Sequence, residues 1–162
     1  SVSQNYFNSK TKITFFLPLF FLIVLILQIS LGAFVSGLDA GQIYQTWPLM
    51  GQNYFPNDSL VSDLFSLKLF ETPSLVQFLH RNVAYIMMAL FSLILFIIFN
   101  NNNLACLRKS AIYVFLFLFL QFFLGILTII FGAQIFLASL HQLGSIILLT
   151  STLILVFNSS RN

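Results

Sequence analysis

Charge is what this sequence has least of. Seven basic and four acidic residues make up 7% of its 162 positions, where an ordinary soluble domain carries roughly 25%. That shortage excludes a water-soluble globular domain. The basic residues are scattered and form no patch, so the net charge of +3 implies no nucleic-acid partner. The single cysteine, Cys106, excludes a disulfide within the chain and reads as a passive thiol. No span alternates apolar and polar residues at every second position, so a membrane β-barrel is not expected. No acidic residue or broken helix falls at mid-membrane depth, which disfavours transport.

Apolar surface is abundant instead. The chain is 59% hydrophobic with 21 phenylalanines and a mean hydropathy of +0.96, the composition of an integral membrane protein. Residues 13–35, 75–99, 111–131 and 137–157 form four apolar segments. Each is long enough to cross about 30 Å of hydrocarbon at roughly 1.5 Å per residue. Pro18 is expected in the first turns of the first helix, where its missing N–H costs least. None of the segments resembles a cleaved signal peptide. The expected fold is all-α, a four-helix membrane bundle forming one domain over residues 1–162.

The few charges orient that bundle. Lys10, Lys12, Arg108, Lys109 and Arg161 fall at one set of helix ends, while the 36–74 loop holds Asp39, Asp58, Asp63 and Glu71 against Lys68. By the positive-inside rule both termini face the cytoplasm or mitochondrial matrix and the long loop lies outside. Localisation in a bacterial plasma membrane or mitochondrial inner membrane follows. The loop contains Trp47, Tyr44 and Tyr54, which predicts a folded cap; a plain interfacial aromatic belt is the simpler alternative. Asp39 is expected to cap a turn, with pairing to Arg81 as the alternative. Residues 100–103 read as a polar turn on the inner side.

Two pieces of pattern then coincide. Leu27-Gln28-Ile29-Ser30-Leu31-Gly32 in the first helix reads against Leu120-Gln121-Phe122-Phe123-Leu124-Gly125 in the third. Each of these helices precedes one that carries a histidine, so the chain reads as two helix pairs, an internal pseudo-repeat. Gly32 and Gly125 let neighbouring helices approach closely. The histidines, His80 and His141, are the only two in the chain, and each falls about one turn inside the outer face. Ionisable side chains at that depth are costly and mark function by default.

Paired across a bundle, two imidazoles would give one iron its two axial ligands in a low-spin haem. Zinc would want four ligands, usually with cysteine or carboxylate at depth, which the sequence lacks. The plainer reading is that each histidine hydrogen-bonds locally and anchors its helix end. Arg81 and Lys68 are candidates to pair with haem propionates, against simple snorkelling of Arg81 to the headgroups. Gln77, three residues before His80, lies on a neighbouring helix face and is too weakly basic for proton transfer.

The residues that carry a resemblance lie in order along most of the chain. They are Leu31-Gly32-Ala33-Phe34-Val35-Ser36-Gly37-Leu38-Asp39-Ala40-Gly41, Tyr44-Gln45-Thr46-Trp47-Pro48-Leu49-Met50, Phe70-Glu71-Thr72-Pro73, Val76-Gln77-Phe78-Leu79-His80-Arg81 and Leu140-His141-Gln142. They resemble haem A synthase of the mitochondrial and alphaproteobacterial type, specifically its C-terminal four-helix half. The resemblance implies a haem b held by His80 and His141 and no catalytic residue in this half; Arg81 and Gln77 are the further candidate cofactor-binding residues. The family's other half oxidises the methyl group of haem o to the formyl group of haem A. There, a glutamate precedes the first histidine by three residues; Gln77 stands at that position here.

Implied partners are the lipid bilayer, a separate N-terminal half or a second copy of the chain, and an electron-transfer partner. Haem O synthase and cytochrome oxidase assembly factors are implied more distantly. A non-enzymatic b-type cytochrome subunit and a structural remnant without haem are the alternatives to a haem-binding half of the synthase.

Overall fold

A computed structural model describes residues 2–161 of the chain, with side chains from Phe15 onward. Four long helices dominate it: α1 (Val2–Gly37), α3 (Pro73–Asn100), α4 (Arg108–Ile130) and α5 (Ile135–Ser160), with a one-turn helix α2 (Lys68–Glu71) in the long loop. All four long helices carry a stretch apolar enough and long enough to span a membrane; in α1 that stretch is Phe15–Gly37. Helix is the answer an apolar chain gives in lipid, since every backbone N–H and C=O must find its partner within the segment. No strand forms among the described residues, only an isolated bridge between Met50 and Asn53.

The helices are longer than their apolar runs. Helix α1 begins at Val2, eleven residues before the expected start at position 13. Pro18 therefore lies inside the helix, not in its first turns. The side chains of Lys10 and Lys12, used above for orientation, lie outside the described residues. The 100–103 turn continues into a 3-10 helix, Asn102–Leu107, capped by the Asn101 side chain, which accepts from the Asn103 N–H at 3.1 Å. Cys106 sits in that turn, exposed and unbonded.

The helices pack as a ring: α1 against α3 and α5, and α4 against α3 and α5. The histidine-bearing helices α3 and α5 therefore stand diagonally opposite each other. The inner half of the ring is a continuous apolar core. Phe21 and Leu25 from α1 meet Met87, Phe91, Ile94 and Ile98 from α3, with Val114 and Leu118 from α4 and Leu148 and Leu155 from α5. Phe21 and Phe91 pack with ring centroids 4.7 Å apart and planes tilted by 58°.

Toward the long-loop side this packing stops. Beyond Leu25 on α1, beyond Gln121 on α4 and before Leu148 on α5, no helix side chain is buried. In that half, burial on α3 is confined to Ser74, Leu75, Val76, Gln77 and Arg81, beneath the loop.

The short connection between α4 and α5 is built from backbone rules. Ala133 N–H bonds to Thr128 O at 2.7 Å and Gly132 N–H to Ile129 O at 3.0 Å. That pair of bonds closes a helix in the Schellman manner, with a left-handed residue at its end. Gly132 has φ 64° and Ala133 φ 56°. The absent Gly132 side chain also leaves room for Gln45 of the long loop, whose Nε2 lies 3.1 Å from where a Cβ would stand.

Candidate functional site

Helix length and start point set the histidines at one depth. His80 is the eighth residue of α3, counted from Pro73, and His141 the seventh of α5, counted from Ile135. At about 1.5 Å per residue that places them within one residue's rise of each other. They meet across the ring with centroids 6.5 Å apart and planes at 84°. Both Nδ1 atoms are buried without a hydrogen-bond partner.

The repeated motif surrounds each ring in the same way. A Cβ at Gly32 would lie 3.3 Å from Cε1 of His80, and a Cβ at Gly125 would lie 3.2 Å from Cε1 of His141. So the glycine of each Gln-x-x-Leu-Gly run is where its helix closes on the imidazole of its partner helix. Gln28 adds a second contact that sequence reading passed over. Its amide donates to the His80 carbonyl at 2.9 Å and lies 3.5 Å from His80 Nε2. Its counterpart Gln121 is buried with Nε2 unpaired, packed against Gly144 so closely that a Cβ there would overlap the amide. Two glutamines at matching places in apolar helices were the available signal.

Above the histidines the long loop is fastened to α3. Arg81, only 5% exposed, donates from Nη1 to the carbonyls of Thr46 at 2.9 Å and Leu49 at 3.3 Å, and from Nη2 to that of Tyr44 at 2.8 Å. Gln77 donates to the same Tyr44 carbonyl at 3.1 Å. Trp47 Nε1 donates to Tyr85 Oη at 3.0 Å, and Tyr54 hydroxyl bonds Asn82. Phe78 meets the rings of Tyr54 and Phe55. The loop is thus a cap docked on α3, as its aromatic content predicts.

The remaining candidates take other places. Asp39 adopts a left-handed conformation at φ 50° and starts the Ala40–Gln42 turn, but its side chain makes no capping bond; the backbone alone closes the turn. Lys68 pairs with Asp63 at 3.4 Å, the one ion pair formed among the described residues, and Asp39 is not in contact with Arg81.

The residues suit a macrocyclic iron better than a bare ion. No group of three or more His, Cys, Asp or Glu gathers among the described residues, so no protein cage of the zinc kind is formed there. A porphyrin supplies four ligands itself and asks the protein for two. The 6.5 Å between the ring centroids leaves room for one metal ion between the imidazoles at metal–nitrogen bonds of about 2 Å. The end of side-chain packing at the level of the histidines fits a flat apolar ligand completing that half of the bundle.

Fold and site together define a polytopic membrane protein, a four-helix bundle that presents a histidine pair from diagonal helices beneath a docked outer loop. The chain belongs to the COX15-CtaA family, described as cytochrome oxidase assembly protein, whose pattern it matches over residues 3–153. Proteins named heme A synthase are similar to it. That of Pelagibacter ubique is 42% identical over 151 residues, covering 93% of this chain and 44% of that protein. That of Rickettsia prowazekii is 38% identical over 78% of this chain and 37% of its own length. The Roseobacter denitrificans protein is 38% identical over 75% of this chain and 31% of its own. The chain thus spans less than half the length of these relatives. No solved structure matches it.

Proposed function

We propose that this chain is the haem b-binding half of haem A synthase, in which His80 and His141 would hold the haem iron. The observation that carries this reading is the pair of imidazoles, 6.5 Å apart on opposite helices, each closed in by the glycine of a repeated motif. When bound, haem b supplies a one-electron carrier whose potential depends on its axial ligands and its burial.

The chain's own residues hold, orient and shield. His80 is steadied through its main chain by Gln28. Arg81 and Gln77 serve the cofactor through the loop, pinning the 44–49 segment over the outer side of the site and limiting water there. A buried Gln77 whose amide donates to Tyr44 O is neither an acid nor a base near neutral pH, which suits a half that assists oxidation without performing it. The oxidation of the haem o methyl to the haem A formyl then belongs to the family's other, catalytic half.

The bacterial relatives favour a plasma membrane. Arg108, Lys109 and Arg161 at one set of helix ends favour termini on the cytoplasmic side. Partners of this reading are the catalytic half or a second copy of the chain, an electron-transfer protein, and the haem O synthase and oxidase-assembly machinery.

Removing the gene in its native host tests the role. The expected result is loss of haem A with haem O accumulating, restored by the wild-type gene. Unchanged haem A alongside a haem-loaded chain would favour a non-enzymatic b-type cytochrome instead.

A further inference from the structure

Between the docked part of the loop and α3, the chain turns its large apolar side chains outward. It runs there through two short turns, Val61–Phe65 and Lys68–Glu71. Phe65 is 89% exposed, Leu67 79%, Leu60 67% and Val61 62%. The stretch before it, docked on α3, exposes no large apolar side chain beyond 50%.

Three polar residues of the segment, Asp63, Ser66 and Lys68, bond among themselves. Asp63 accepts from Leu60 N–H at 3.1 Å and pairs with Lys68, while Ser66 donates from its hydroxyl and its N–H to the Asp63 carbonyl. Locally satisfied backbone and a neutralised charge pair lower the cost of leaving water.

Position decides what the apolar side meets. Phe70 packs on Phe34 of α1 with centroids 5.4 Å apart. Together with Gly37 they line a shallow cavity of about 370 Å³ on the flank of α1. Phe34 is 45% exposed and lies one turn from the end of a membrane-spanning stretch. The segment therefore leans against the lipid side of the bundle, at the depth where aromatic side chains meet headgroups, and not over the centre of the ring.

We infer that residues 60–71 form an interfacial foot whose partner is the lipid surface of the leaflet on the loop side. Leu60, Val61, Phe65 and Leu67 sink into the boundary between headgroups and acyl chains, about 5–10 Å deep as amphipathic interfacial segments do. This foot holds the loop's return into α3 at fixed height and is independent of any haem.

The test uses the full chain in phosphatidylcholine vesicles, with Cys106→Ser as background and a polarity-sensitive fluorophore on Phe65→Cys. Gln52→Cys, exposed in the docked part of the loop, serves as control. Position 65 should emit to the blue of position 52 and be quenched at least about twofold by a spin label high on the acyl chain, with less quenching by one near the chain end. Equal emission and equal quenching at the two positions would overturn the proposal. So would a blue-shifted position 65 that lipid-borne labels fail to quench, since a second copy or another protein would then cover the segment.

Discussion

Removing the Arg81 fork should release the loop, and the size of the effect can be worked out. Arg81 makes three hydrogen bonds to the carbonyls of Tyr44, Thr46 and Leu49. Bonds to a charged group contribute about 1.5–3 kcal/mol each, so the gross loss is about 4.5–9 kcal/mol. Deleting the charge returns the several kcal/mol that its burial cost, and the freed carbonyls lie near enough to the outer surface to take up water. The net destabilisation of the docked loop by Arg81→Met is then about 3 kcal/mol, or a roughly 150-fold larger equilibrium constant for local opening.

Hydrogen exchange of residues 40–59 reads that opening directly, with the inner core of Phe91, Ile94 and Leu155 as the unaffected reference. Arg81→Lys should fall between wild type and Arg81→Met, because an ammonium keeps the charge but cannot reproduce the fork. Loop protection unchanged in Arg81→Met would refute the assignment of Arg81 as the fastening.

Other substitutions probe the helix contacts. Gly32→Val and Gly125→Val should each push an imidazole aside and cost about 1–3 kcal/mol by overpacking, lowering the melting temperature and the haem content together. Equal melting and full haem in both would detach the glycines from the site. Gly144→Ala should destabilise the α4–α5 contact by forcing the Gln121 amide away. Adding Gln121→Ala should recover most of the loss, a coupling that a double-mutant cycle measures.

Much of the frame was legible because lipid leaves a chain few choices. An apolar run of sufficient length must be helical, and four such runs gave four spanning helices. The Gln-x-x-Leu-Gly pairing was legible because a repeat shows itself as sequence, and its glycines lie where the pattern places them, against His80 and His141.

What sequence reading passed over depends on main-chain atoms. Arg81 and Gln77 bond backbone carbonyls of the loop, and a carbonyl acceptor has no residue type to recognise. The same holds at Asp39, where backbone bonds close the turn that the side chain was expected to cap. Helix α1 runs to Val2 because once nucleated a helix propagates through a polar segment with little added cost, so hydropathy marks the span and not the helix.

The central claim is the histidine pair, and a reduced-minus-oxidised spectrum with a pyridine haemochrome assay tests it most directly. Wild type purified in mild detergent should carry a low-spin haem b, and His80→Ala and His141→Ala should each lose it or convert it to another spin state. An unchanged low-spin spectrum in both variants would contradict the account, because an iron held between those two rings loses one of its two protein ligands with either substitution.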